Sequence, residues 1–457
     1  MDKVSYKLTL SVILIVIGAS FAVMLSPQSS SVGSSDGLVI DFGDRNIAYS
    51  STISGKENAL SALKSMCEQE GFDLVIEDDE IISIDFLPAF DDDAIWGLYI
   101  ISHGNKEWEK VIDDPSSVVI EEYTIVAWGL CSENDFPTIG VDSTGHSFYN
   151  YDQPRRIISL APSCTETICS VGAVNAIIGT DMYSNYPDAV VENQESGKIT
   201  IIGGFTNPSY ELIVQQNPDM VIGIGSQVSH NIIAEKLRKI GIDVIITFDG
   251  EDIGTILDNI YIVGVGTNYS IPMEESLNDI TEAMGSVYGD LEGYTQIRYP
   301  DVMVSLSTLK SPWVSGSGTY ISDILNFTFS NNVYEEQNGW VQVNSESIMQ
   351  YNPSIIILVN SECPPTKEAY DQMLSSLSAE WKKTEAFMSG EVYLLTEIAT
   401  DLASRPGPRI AQLTELTARI LHPDAFEDGV IVPKIVGNDY EDYLTYTKDL
   451  NFNGGGY

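Results

Sequence analysis

ELIVQQNPDMVI occupies residues 211–222, and ESIMQYNPSIII occupies residues 346–357. Both open on Glu, carry Ile two residues later and Gln two after that, reach Asn-Pro at six and seven residues past the Glu, and close on an apolar run. Each Glu falls in the first turn of a helix, with Asn207 and Asn344 as the expected N-caps and Pro208 at a first helical position. Proline disfavours helix in the residue ahead of it, so each helix ends before Asn-Pro. DMVIGI and SIIILV then read as strands buried on both faces. Each copy is a helix feeding a central parallel strand.

More units of this kind surround the two copies. RIISLA (156–161) and GIDVIITF (241–248) read as strands in the first half, with SCTETICSVG and AEKLRKIG as helices. DVMVSL (301–306) and EVYLLT (391–396) read as strands in the second, with ISDILNF and RIAQLTELTARIL as helices. Strand and helix alternating at this spacing mean α/β with a parallel sheet. The expected architecture is two Rossmann-like lobes, 154–270 and 298–424. Between them, Leu277, Ile280, Met284, Val287 and Leu291 form a helical stripe, so residues 271–297 are expected to be a single linking helix about 35 Å long. Ligands of open α/β sheets bind beyond the carboxyl ends of the strands, which places the expected site in a cleft between the lobes.

The totals narrow the function. The chain has 457 residues, room for roughly three domains. Asp and Glu number 66 against 23 Lys and Arg, a net charge of −43. Such a surface repels nucleic-acid phosphates and anionic lipid heads, and suits either plain solubility or a salty setting. Five cysteines, Cys67, Cys131, Cys164, Cys169 and Cys363, show no metal-ligand spacing. Pairing of Cys67 with Cys131 and of Cys164 with Cys169 stands open beside free buried thiols.

From Leu8 to Leu25 no charge interrupts 18 residues. A helix of that length spans about 27 Å, enough for a bilayer core. Lys3 and Lys7 precede it, which keeps the N-terminus cytoplasmic and the rest extracytoplasmic. Residues 1–26 are therefore expected to be a single-pass transmembrane anchor at the cell membrane, a cleaved signal peptide being the alternative. Residues 27–37 follow as a Ser/Gly linker.

Residues 38–140 read as a small α+β domain. GKENALSALKSMCEQEG holds a helix with Ala59, Leu60, Leu63 and Met66 on its apolar face, ending at Gly71, and IISIDF, WGLYII and YTIVAW read as strands. Asp78-Asp79-Glu80 and Asp91-Asp92-Asp93 lack the spacing of a calcium hand and read as solvated turns. The order of the NALSALK helix and the ISID, WGLYI and VAW strands resembles the C-terminal domain of transcobalamin and intrinsic factor, which covers one face of a corrinoid. SHGNKEWEK stands where those carriers have a tight turn, and core packing is the expected role of Trp96 and Trp128.

RIISLAPSCTET, GTDMYSNYP, GGFTNPSYELIVQQNPDMVI, PWVSGSGTYISDIL, GWVQVNSESI and RPGPRI follow in order over residues 154–424. This set resembles the helix-linked periplasmic binding proteins, the binding components of ABC importers for cobalamin and ferric siderophores. The resemblance implies a receptor that delivers a ligand to a permease and its ATPase. The ligand it implies is a corrinoid such as cobalamin, with a ferric siderophore or haem as alternatives; a surface adhesion protein is the non-transport alternative. The expected cleft-facing turns supply Tyr183, Tyr186 and Phe205 from the first lobe and Trp313 and Trp340 from the second, with Pro162 and Ser163 as further lining; the resemblance implies ligand contact near Tyr186, Phe205 and Trp340, with Ile224 where related receptors can carry another Trp. It implies permease docking by Glu211 and Glu346, one from each lobe, through charge-assisted pairs with arginine. Asn268 and Asn326 open glycosylation sequons, and residues 425–457 are left as a C-terminal tail.

An enzyme finds little support. GIGSQ and VSGSGT complete neither a dinucleotide nor a P-loop pattern, and Ser317 lacks a nucleophile-elbow frame. Four histidines, His103, His146, His230 and His422, are too few for a His-rich metal receptor. No catalytic residue, catalytic cofactor or resident metal is expected.

Overall fold

The structure, a computed structural model, describes residues 37–42, 49–52, 58–77, 80–85, 87, 94–102, 108–112, 114–120, 123–132, 137, 142–146, 153–307 and 311–450. The expected anchor (1–26), all but the last residue of the linker, and the Asp78-Asp79 and Asp91–Asp93 runs lie outside the described residues. Among the described residues no helix is long and apolar enough to cross a membrane. The chain forms two compact units: residues up to 248 with 258–275, and 249–257 with 276–452.

In the first unit, the small domain is a five-stranded sheet. Its order is Tyr49–Thr52, Gly37–Asp41, Tyr123–Cys131, Ile95–Ser102, Glu109–Lys110. The Gly37–Asp41 and Tyr123–Cys131 pair is parallel, and the others are antiparallel. Alternation puts Leu38, Ile40, Trp96, Leu98, Val126 and Trp128 on one face, where they bury against Leu63 and Met66 of helix Ala59–Glu70. Asn58 caps that helix, accepting from the Ser61 N–H at 2.8 Å, and Gly71 ends it at φ 76°. The Trp96 and Trp128 indoles donate to the Leu87 and Ala59 carbonyls, which fits their expected core role.

All five cysteines are free and buried, so neither disulfide forms. Cys164 and Cys169 share helix Pro162–Ser170. Five residues apart, they point about 140° from each other around the axis, which no S–S bond spans. Burial pushes the Cys67 and Cys164 thiols up to about 12.

Residues 142–146, which follow the small domain in the chain, are fastened to the next sheet. Asp142 is buried and accepts from the Ile246 N–H at 2.9 Å, and Ser143 N–H donates to the Ile246 carbonyl at 2.9 Å. Arg238 pairs with the Asp142 carboxylate and donates to the Val244 carbonyl. That next sheet, lobe 1, is wholly parallel: Thr200–Ile201, Ile177–Thr180, Ile157–Ser159, Met220–Ile224, Asp243–Thr247.

The repeated phrase has one local geometry in both copies. The helices are Tyr210–Gln215 and Ser345–Tyr351. Asn344 caps the second as expected, but Ser209, not Asn207, caps the first. Asn207–Pro208 instead pairs with Gly203–Gly204, because the proline's fixed φ serves an extended strand as well as a first helical turn. Both caps thus stand two residues before the Glu. At the other end, Asn217 and Asn352 adopt the left-handed conformation at φ 48° and 47°, turning the chain before the proline. Ile213 and Ile348 anchor the helices, and Met220–Ile224 and Ile355–Val359 are buried at every position.

In the second unit the sheet order is Trp340–Gln342, Trp313–Ser315, Asp301–Ser305, Ile355–Val359, Val392–Leu395, Ile435–Val436, with Asn331–Asn332 beside Asp301–Ser305. The strands from Asp301 onward in that order are parallel, as expected. Trp313–Ser315 and Trp340–Gln342 depart from expectation and run antiparallel. Just past the first of them, Gly316 permits close approach of the 337–339 segment: a Cβ there would lie 2.2 Å from the Gln337 carbonyl oxygen.

The linking helix spans Ser270–Gly293, about 36 Å, and stops short of residue 297 at a glycine. Ile280, Met284, Val287 and Leu291 are buried as the stripe requires. It is not the sole passage between units, since the chain also crosses at 248–249 and 257–258. Residues 249–257 belong to the second unit, where Asp323 accepts the Ile253 N–H at 3.0 Å.

Residues 425–450 of the C-terminal tail are strapped onto the second unit. Ile435–Val436 adds a parallel strand. The fully buried Glu415 accepts N–H bonds from Thr445, Tyr446 and Thr447 at 2.7, 3.1 and 2.9 Å. Its other partners are the Thr447 hydroxyl and Arg419 Nε, at 2.7 and 2.8 Å. Arg419 also binds Asp428 bidentately at 3.0 and 2.8 Å, and the Tyr446 hydroxyl donates to Asp290 of the linking helix at 2.6 Å.

Replacing Glu415 by Ala strips those donors of their acceptor and should cost about 3–5 kcal/mol, read as a lower denaturation midpoint. An unchanged midpoint would show the tail to be peripheral. The Arg419 hydrogen bond holds the Asp428 carboxyl well below the usual carboxylate range. A depressed folded-state pKa adds stability that is complete above the unfolded value, about 4, and drains away as pH falls below it. Melting temperature should therefore drop between about pH 4 and pH 2, less steeply in Asp428→Asn.

Candidate ligand-binding site

Three adjacent strands of lobe 1 deliver the predicted aromatic and polar residues to one edge. Ile157–Ser159 leads to Pro162, first residue of helix Pro162–Ser170, and to Ser163. Pro162 is half-buried and Ser163 nearly buried, so the proline offers the more open surface. Ile177–Thr180 leads to the turn carrying Tyr183 and Tyr186. Thr200–Ile201 leads to a hairpin, Gly203–Gly204 against Asn207–Pro208, with Phe205 at its tip.

A buried polar chain sets the tyrosine turn. Asp181, fully buried, accepts from the Tyr183 N–H at 2.9 Å and from the Ser184 hydroxyl at 2.5 Å. Ser184 meets Thr165 at 2.7 Å, and Thr165 donates to Ser159 at 2.7 Å. Gln194 donates to Thr180 and to the Ser184 carbonyl. The Met182 N–H donates to the Gly203 carbonyl at 2.9 Å, joining turn to hairpin. With its backbone held, Tyr183 remains 57% exposed, and Tyr186 is half-buried ahead of a cis bond to Pro187. A fixed aromatic presented to solvent is a surface for an apolar ligand face.

In lobe 2, Trp313 and Trp340 lie on the antiparallel pair rather than on turns. Trp313 opposes Gln342, and Ser315 opposes Trp340. Side chains alternate along a strand, so Trp313, Ser315, Trp340 and Gln342 share one face. Val314 and Val341 share the other, where Val314 is buried in the lobe 2 core. Trp313 is 48% exposed, and Trp340 is half-buried edge-on to Tyr320 at 6.3 Å.

Glu211 and Glu346 stand second in their helices, two residues past the cap, and both are exposed. They lie on separate units. Among the described residues no group of three or more His, Cys, Asp and Glu could hold a metal.

Sequence reading passed over Asp181, Ser184 and His230. GTDMYSNYP does contain Asp181 two and three residues ahead of its partners Tyr183 and Ser184, a spacing typical of Asx turns that could have flagged it. Nothing local marks His230, whose partners Phe205 and Ile224 are distant or backbone.

A model of the periplasmic binding protein family matches residues 157–399. An uncharacterized ABC transporter substrate-binding lipoprotein of Bacillus subtilis is 24% identical over 298 residues, covering 64% of this chain and 88% of that protein. A cobalamin-binding protein of Halobacterium salinarum is 21% identical over 291 residues, covering 63% and 74%. The solved structure of a periplasmic heme-binding protein from Pseudomonas aeruginosa shares the fold, with TM-score 0.52 and 18% identity over 60% of this chain and 94% of that one. With more than half of its length matched, the chain belongs to the periplasmic binding protein family, whose members bind solutes and are not enzymes.

Proposed function

We propose that the chain is the extracytoplasmic substrate-binding component of an ABC importer and that its ligand is a corrinoid. The observation that carries this is the aromatic provision of each lobe. Tyr183, Tyr186 and Phe205 follow neighbouring strands of lobe 1, and Trp313 and Trp340 share one face of lobe 2. A broad macrocycle with apolar faces and a polar rim needs such walls. Cobalamin-binding relatives support the corrinoid, as does the resemblance of residues 38–140 to a corrinoid carrier's domain. In this reading the N-terminal apolar segment tethers the receptor, and Pro162 and Ser163 border the ligand.

Haem or a ferric siderophore is the second reading. Haem iron takes an axial ligand from His, Cys, Met or Tyr. Both His230 and His422 are buried and bonded to backbone carbonyls, so Tyr183 is the better-placed donor. Absorbance titration of the purified protein separates the readings. Cyanocobalamin should bind at about 1 µM or tighter, and hemin weakly. Tight hemin or ferric-siderophore binding without corrinoid binding would overturn the corrinoid assignment, and Tyr183→Phe would then shift the haem spectrum. Trp313→Ala should weaken corrinoid binding about tenfold, the loss of one aromatic contact of about 1–2 kcal/mol.

Glu211 and Glu346 are proposed to dock on arginines of the two permease subunits. Glu211→Ala combined with Glu346→Ala should abolish uptake while leaving ligand affinity within about twofold. Uptake at the wild-type rate would remove the docking role; uptake independent of any permease would favour adhesion.

A further inference from the structure

Phe205 occupies the tip of a very small hairpin. Its ladder has two residue pairs, Gly203 with Pro208 and Gly204 with Asn207. Proline offers no N–H and glycine no side chain to pack, so the ladder holds the tip weakly. The missing restraint comes from helix Val228–Arg238, which carries His230 two residues past its start.

The His230 ring is fully buried and both nitrogens are engaged. Nδ1 lies 3.2 Å from the Ile224 backbone nitrogen, at the end of strand Met220–Ile224. Nε2 lies 2.8 Å from the Phe205 carbonyl oxygen. An amide N–H only donates and a carbonyl only accepts, so Nδ1 accepts and Nε2–H donates. The two partners fix the neutral Nε2–H tautomer. The ring also meets the Phe205 ring edge to face, with centroids 5.4 Å apart and planes at 89°.

We infer that His230 is a positioning residue for ligand binding, fastening the Phe205 tip to the end of the central strand so that the aromatic ring is presented ready-made. The inference rests on the proposed contact of Phe205 with the ligand. Burial pulls the His230 pKa down, in keeping with a ring that stays neutral. The bonds to the two backbone groups oppose that burial effect without reversing it. A protonated ring would set an Nδ1–H against the Ile224 N–H and break the fastening from the strand side.

Two substitutions divide the fastening into its halves. A glutamine amide reaches the place of Nε2 and keeps the bond to Phe205, whereas an asparagine amide reaches the place of Nδ1 and keeps the bond to Ile224. His230→Gln and His230→Asn each lose one buried hydrogen bond, so their melting temperatures should fall by similar amounts. Cyanocobalamin and hemin serve as the probes, titrated against the full chain and against Phe205→Ala. For whichever probe the wild type binds, His230→Asn should weaken binding about tenfold and His230→Gln no more than about threefold. Equal affinity losses that follow the melting temperatures would reduce His230 to a purely structural role and overturn the inference. If Phe205→Ala costs affinity but the His230 pair does not separate, the inference alone falls. If Phe205→Ala costs none, or neither probe binds, the ligand reading falls and takes the inference with it.

Discussion

Burial of two five-residue strands along their whole length, Met220–Ile224 and Ile355–Val359, is the constraint on which each lobe depends. A strand with no solvent face must pair its backbone on both sides and cover both surfaces. Those demands supply the parallel neighbours, the covering helices and the need for a sharp entry. The entry is the same in both copies: a capped short helix, a left-handed asparagine and a proline. The acid follows the cap because that place tolerates charge: it is exposed, and it complements the helix dipole. One local solution, used twice, thus yields both a buried strand and a presented carboxylate.

That constraint also explains what was legible. Each of the apolar runs read as a strand in the two lobes, from 156–161 to 391–396, became a strand close to its expected bounds, because burial dominates such segments. Short elements were less readable. Ile177–Thr180 is four residues inside a stretch rich in turn formers, and its strand character comes from pairing with Ile157–Ser159 and Thr200–Ile201. Trp313–Ser315 and Trp340–Gln342 are three residues each, too short to show a period. The first helix was displaced by Pro208, which satisfies two conformations equally well.

The candidate site was readable in its aromatics and unreadable in its supports. Tyr183 and Phe205 stand out in a sequence as large residues beside turn formers. Asp181 with Ser184, and His230, work through backbone groups brought close only by the fold. The same holds for the tail. Glu415 and Arg419 show a helical i, i+4 spacing, but the N–H groups of Thr445 to Thr447 that make Glu415 an anchor lie thirty or more residues away. Polar groups that organise a fold over such distances leave no periodic mark, whereas apolar stripes do.

Binding, rather than chemistry, accounts for this division. A receptor needs rigid supports beneath open aromatic surfaces, with no group poised for catalysis. The most direct measurement is a crystal structure of the protein grown with cyanocobalamin. The account predicts the corrin ring against Tyr183 and Phe205 of one lobe and Trp313 and Trp340 of the other. A corrin seated on residues 38–140 alone, or touching none of these four aromatics, would contradict it.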